Sequence, residues 1–278
     1  MILSLFRRRA PEAVAPAVPP PTASVDDQLA RAKALAEAGD HDAALAIWGP
    51  LAHQGVGRAA NNIAACFLDG LGVERDPALA LQWLEAAAKA GDPVGQRNYA
   101  TALFQGVGGT DDPAGAYEWY GKAAKAGDAQ AQDMLSWMLL EGEVAPYDPA
   151  GAKAWAHKAA SAGIGPSMTR LGLIFHHALG VERDAEAAVR WWTKAVEAGD
   201  ADGAAMLGAA HFLGQGIERD PARALVLLIL ARRFGSTLAD AYRPAVEAAL
   251  DAPSRERASE LAADIAARPP WADLEAPR

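Results

Sequence analysis

The 278-residue chain holds one cysteine, Cys66, so no internal disulfide can secure it. Aromatic residues supply only 7% of it, and Val and Ile are sparse. That argues against a β-sandwich or a parallel-sheet enzyme, whose strands draw on β-branched and aromatic side chains. Basic residues are in deficit, with 26 Lys and Arg against 35 Asp and Glu and a formal net charge of −9. No basic stripe able to neutralise phosphates is present, which argues against nucleic acid as the main partner. Long apolar runs are also missing. The longest, Ala224 to Ala231, falls far short of the roughly 18–20 residues a membrane-spanning helix needs. A secretory signal places positive charge before its apolar stretch, whereas here Met1–Phe6 precede Arg7, Arg8 and Arg9. Export is not indicated, and a cytoplasmic location is expected.

Alanine, by contrast, supplies roughly a quarter of the residues, so the intrinsic preference is strongly helical. Residues 1–25 are rich in Ala, Pro and Val and read as a disordered tail. Phe6 and the three arginines give that tail the means for weak contact with an anionic membrane surface. Residues 269–278 read as a second flexible tail.

Between the tails runs an internal period. Glycines fall at Gly55, Gly91, Gly127, Gly163, Gly199 and Gly235, each step being 36 residues. Asp76, Asp112, Asp148, Asp184 and Asp220 share the register, as do Trp83, Trp119, Trp155 and Trp191, with Leu227 in the fifth place. A period of this length signals a stack of supersecondary units. Asp followed by Pro supplies an N-cap acceptor and a first-turn residue without an N–H, so a helix is predicted to start there. The glycine about fifteen residues later can take the left-handed conformation that ends a helix. Asp92, Asp128 and Asp200 follow it directly, predicting a tight turn and antiparallel neighbours. Glycine pairs such as Gly70 and Gly72 lack the third glycine and the preceding strand of a dinucleotide loop, and read as connectors.

The core is expected on the same frame. Ile63, Tyr99, Leu135, Leu171 and Leu207 share a helical face with Phe67, Leu103, Leu139 and Phe175. Small residues beside them, Ala64, Ala100, Ser136, Gly172 and Gly208, let helices approach closely. The tryptophan column is read as a row of core anchors. Cys66 shares a column with Ala102, Met138, Ile174 and Ala210 and reads as a small buried hydrophobe.

At these residues the chain resembles the Sel1-like repeat family, a relative of the tetratricopeptide repeats. The match runs Leu171-Gly172, Phe175, Gly180-Val181, Asp184, Ala188, Trp191, Lys194-Ala195 and Gly199. Val144 and Ala178 replace loop glycines, Leu227 the last tryptophan, and His211 the core aromatic. The resemblance implies an all-α, right-handed α-solenoid of stacked antiparallel helix pairs over residues 26–268. Residues 26–55 would form an N-terminal capping pair, 56–235 five repeats and 237–268 a C-terminal capping pair.

In such a fold the first helices line a concave groove, and the resemblance implies a non-catalytic scaffold or adaptor that binds a protein or peptide there. Residues on that face with adaptable hydrogen bonding, charge or aromatic area are the candidate binding set: Asn62, Arg97, Asn98, Trp137, Arg170 and His177. The alternative is a module that binds glycan or peptidoglycan fragments on the tryptophans, or a weak hydrolase of such a ligand. No Gly-x-Ser-x-Gly, Ser-x-x-Lys or His-Glu-x-x-His motif occurs. His176, His177 and His211 fall near one another in the frame. Because adjacent His176 and His177 point about 100° apart on a helix, no metal site is expected, nor any cofactor.

Overall fold

The computed structural model describes residues 23–267. The sequence-predicted tails lie outside the described residues, apart from Ala23–Val25, where Ser24 already caps the first helix through a reciprocal pair of bonds with Asp27. Among the described residues there are fourteen α-helices and no strand. They are α1 (Val25–Glu37), α2 (His41–His53), α3 (Gly57–Asp69), α4 (Pro77–Lys89), α5 (Pro93–Phe104), α6 (Pro113–Lys125) and α7 (Ala129–Glu141). There follow α8 (Pro149–Ser161), α9 (Gly165–His176), α10 (Ala185–Glu197), α11 (Ala201–Leu213), α12 (Pro221–Arg233), α13 (Ala239–Ala248) and α14 (Ala252–Ala266). No helix among them is long and apolar enough to cross a membrane. Consecutive helices pack as pairs, the α-solenoid arrangement read from the 36-residue period. The chain divides inside α6 into two compact units, ending at Trp119 and beginning at Tyr120.

The aspartates fix where helices begin. The carboxylates of Asp76, Asp148, Asp184 and Asp220 accept the N–H three residues on at 2.8–3.0 Å. Asp92, Asp128 and Asp200 do the same for α5, α7 and α11, each at 2.8 Å. The first-column aspartates also act through their own backbone. The N–H groups of Asp76, Asp112, Asp148, Asp184 and Asp220 donate to the carbonyls of Phe67, Leu103, Leu139, Phe175 and His211, nine residues earlier in every case. This bond clamps each connector across its base.

Within the connectors, Gly70, Gly106, Gly142 and Gly214 adopt left-handed backbone with φ of 67–73°. Ala178 holds the same position at φ 57° and is the one non-glycine with positive φ among the described residues. The second glycine has a different task. A side chain at Gly216 would sit 2.2 Å from the Ala185 carbonyl oxygen, and one at Gly72 2.9 Å from His41 Cβ. The second connector glycine thus seats against the helix start 31 residues earlier. Val144, which replaces one such glycine, keeps negative φ, and Ala145 next to it is buried. That connector still closes through Asp148 to Leu139, so the replacement alters the loop path and leaves the helix pair intact.

The core departs from the expected tryptophan row. Trp83 is buried at 7% exposure, but Trp119, Trp155 and Trp191 are only half-buried. The fully enclosed column is the next residue along: Trp48, Leu84, Tyr120, Ala156, Trp192 and Leu228 are each 4% exposed or less. Adjacent helical positions point about 100° apart, so one looks into the pair while the other grazes its edge. At that edge lysine covers the indole: Lys158 Nζ lies 4.0 Å from the Trp155 ring centroid and Lys194 Nζ 4.5 Å from that of Trp191, a cation–π placement. Trp192 instead fills the space left by Gly172, and its Nε1 donates to the Thr169 carbonyl at 3.3 Å.

Two substitutions of one kind should therefore have opposite signs. A Cβ at Gly172 would meet Trp192 Nε1 at 2.2 Å, so Gly172→Ala should destabilise by about 1–3 kcal/mol through overpacking. Gly121, in α6, has no atom within 4 Å of its would-be Cβ, and Gly121→Ala should stabilise by about 0.5–1 kcal/mol through backbone entropy. Urea denaturation of both variants checks the pair. His211 gives a pH test. It is buried in α11, and burial, followed by the Arg223 guanidinium, holds its imidazole below the ordinary value against a weaker opposing pull from Asp220. The unfolded chain takes up that proton first, so stability should fall as pH drops below about 6.5. His211→Leu, the residue its column carries at Leu103 and Leu139, should flatten the fall between neutral and mildly acidic pH in the same measurement.

Candidate functional site

The candidate residues lie on the first helices of the repeats. Asn62, Arg97 and Asn98 belong to the unit that ends at Trp119, and Trp137, Arg170 and His177 to the unit that begins at Tyr120. A single spacing organises their polar contacts. Asn98 Nδ2 donates to Asn61 Oδ1 at 2.7 Å, a step of 37 residues from α3 to α5. The Arg97 guanidinium donates in turn to Asn98 Oδ1 at 3.2–3.3 Å. The same 37-residue step joins Arg170 on α9 to the carboxylate of Asp133 on α7, whose main-chain oxygen also accepts from Arg170 at 3.2 Å. Ser167 Oγ donates to that carboxylate as well. Two pairs of first helices, α3 with α5 and α7 with α9, are thus joined by side chains one repeat plus one residue apart.

This lacing changes what each candidate can offer. The Arg170 and Asp133 side chains are only 14% and 15% exposed, and a half-buried, charge-assisted pair of this kind is costly to break. Arg170 is thus a cross-brace between helices. Arg97 and Asn98 are partly committed to each other and to Asn61. Trp137 is half-buried on α7. His177, exposed at the C-terminal end of α9, meets His176 edge to face at 4.7 Å. Burial and the neighbouring His177 and Arg183 lower the His176 pKa. Among the described residues no three His, Cys, Asp or Glu side chains converge on one point.

Asn62 differs from the rest. Its half-buried side chain makes no hydrogen bond among the described residues, and it lines a groove of about 690 Å³. The wall of this groove comes from α1 (Asp26, Leu29, Lys33), from α3 (Arg58, Asn61, Asn62, Ala65, Cys66) and from His41 and Trp48 of α2. Its floor is mainly apolar. Two side-chain atoms of its lining residues, Trp48 Nε1 and His41 Nδ1, are enclosed and have no hydrogen-bond partner among the described residues. An indole nitrogen can only donate, and a buried donor left unmet costs about 1–3 kcal/mol; Trp48 Nε1 is enclosed and out of an occupant's reach. Cys66 is buried there, and burial, with Asp69 adding to it, pushes its thiol above the ordinary value; the thiol is an apolar wall element and a poor nucleophile.

Sequence reasoning missed Trp48 and Ser167 and left Asn61 and Asp133, which lie on the same outward faces, out of the candidate binding set. Trp48 was within reach, since it lies four periods before Trp192 in the frame. The 37-residue lacing was not, because its partners share neither residue type nor column.

A model of the Sel1 repeat matches residues 57–92, 93–128, 129–164, 165–200 and 201–233. No curated protein matches the chain. Among solved structures, the chain is similar to a Sel1 repeat protein from Oxalobacter formigenes at 27% identity and a TM-score of 0.71, covering 85% of this chain and 99% of that one. It is also similar to a protective antigen of uropathogenic Escherichia coli with an SLR fold, at 23% identity and a TM-score of 0.41, covering 91% and 72%. An immunity protein from Pseudomonas aeruginosa is similar at 21% identity and a TM-score of 0.45, covering 93% and 86%. Its five consecutive matched repeats span more than half the chain, and the chain belongs to the Sel1 repeat family.

Proposed function

We propose that this protein is a non-catalytic scaffold that holds a peptide segment of a partner protein on its first-helix face, in the groove lined by α1 and α3. Sel1 repeats typically mediate protein interactions. The observation that carries the reading here is the groove itself: an apolar floor with a side-chain amide at Asn62 that no other group uses. A free amide offers a donor and an acceptor to an extended backbone, and apolar floor area gives side chains a place to leave water. The glycan-binding reading is the less favoured one, because Lys158 and Lys194 each lie over a ring face, of Trp155 and Trp191, that a sugar would otherwise stack on.

Ala65 is exposed on the groove wall, so Ala65→Trp should fill the groove without disturbing the core. Pull-down from native extract should recover a partner with the wild-type chain and lose it, by at least about tenfold, with Ala65→Trp. Asn62→Ala should weaken recovery less. Equal recovery by wild type and Ala65→Trp would remove the groove from the function.

A further inference from the structure

The charges along the groove beside α1 cancel, Asp26 and Glu37 standing against Lys33 and Arg58. Charge therefore gives the groove no preference, and what it offers an occupant is apolar surface. Leu29, Ala30, Ala65, Leu71 and Val94 line it, and Leu71 is 38% exposed, a large aliphatic side chain left to water. Covering such surface with another apolar group is favourable. The groove follows α1 from Asp26 to Glu37, a run of about 16 Å at the helical rise.

The same chain carries a segment of matching length and character. Twenty-two residues precede Ala23, and every Met, Ile, Leu and Phe among them falls within Met1–Phe6. Six residues of extended chain cover about 20 Å, enough to line the groove from end to end. Between this segment and α1 lie the sixteen residues Arg7–Thr22, five of them proline. A proline-rich spacer of that length reaches up to about 50 Å, so it can return the segment along α1 in either direction. Tethering also makes the encounter intramolecular, at an effective concentration of about a millimolar. An intrinsic affinity of only about 0.1 mM then gives about nine-tenths occupancy.

We propose that Met1–Phe6 docks in the groove of its own chain, its apolar side chains over Leu29, Leu71 and Val94 and its main chain bonded to the amide of Asn62. A partner's peptide must then displace it, a consequence that rests on the peptide-binding reading given above.

The test uses the full chain and a fluorescein-labelled peptide of residues 1–9, followed by fluorescence anisotropy. Leu3→Asp with Leu5→Asp disables the chain's own segment, and Val14→Asp with Val18→Asp makes the same charge change in the spacer. The peptide should bind the Leu3→Asp/Leu5→Asp chain about tenfold or more tightly than either the wild type or the spacer variant. Adding Ala65→Trp on α3, or Ala30→Trp at an exposed position on α1, should remove that gain. Thermal melts show which blocked variant is folded, either one suffices, and if neither folds the tenfold gain decides alone. Equal affinity for the wild type and the Leu3→Asp/Leu5→Asp chain overturns the inference, as does a gain that a folded blocked variant leaves intact. Flotation with phosphatidylglycerol vesicles that depends on Leu3 and Leu5 and is equal in wild type and Ala65→Trp also overturns it, because the segment is then a membrane contact and not a groove occupant. Failure of self-docking is separable from failure of the scaffold reading. The first shows as equal peptide affinities with the partner still lost in Ala65→Trp, the second as equal partner recovery by wild type and Ala65→Trp, which ends the competition as well.

Discussion

One aspartate per repeat does two things at once, and the helix pairs depend on it. Its carboxylate accepts from the third residue of the helix it starts, and its backbone N–H reaches back nine residues to the last turn of the helix before. Each of these satisfies a group that a helix end otherwise leaves unpaired. Together they hold the end of one helix and the start of the next within a single residue. That is why the connectors tolerate Val144 and Ala178 in place of glycine. The glycines ease the loop's path, whereas the aspartate determines where it ends.

With the pair fixed, packing is a matter of which residue looks inward, and here the sequence is legible in part. Period, capping residues, turn positions and helix order could all be read directly, because each rests on a residue type that recurs at 36-residue steps. The core could be read only where identity recurs. Trp83, Trp119, Trp155 and Trp191 repeat in type yet three of them are half-buried, while Trp48, Leu84, Tyr120, Ala156, Trp192 and Leu228 differ in type and are enclosed. Recurrence marks a position with the same local task in each repeat, such as lying under a lysine at the edge. An enclosed position answers to its own neighbours. Trp192 fills the room left by Gly172, whereas Ala156 occupies the corresponding place one repeat earlier, so close packing there demands complementary volumes and no fixed residue.

The candidate site was legible to a lesser degree, for a related reason. Polar residues on the first helices are of two sorts that look alike in sequence. Arg170 with Asp133, and Asn98 with Asn61, cross from one helix to the next and are consumed in joining them. Asn62 stands beside Asn61 with the same chemistry and is not consumed. Which of two adjacent asparagines faces the neighbouring helix depends on a rotation of about 100°. Only the packed structure sets that angle relative to the next repeat. The 37-residue offset shows the direction of the bias: the residue facing forward in one repeat reaches the residue one place later in the next.

The same geometry accounts for the groove beside α1. Where a repeat follows a first helix, that helix's polar positions can be claimed from it, as Asp133 is claimed by Arg170 and Ser167 of the following repeat. Next to α1 the pattern changes, because α1 and α2 carry no counterpart to the asparagine that would reach forward to Asn62. The wall there presents Leu29 and Ala30 in place of a bonding partner. A mismatch between α1 and the first matched repeat thus leaves an amide and apolar surface together in one place. Between α3 and α5, and between α7 and α9, polar groups of neighbouring first helices hold one another, and Asn62 stands where that pairing stops.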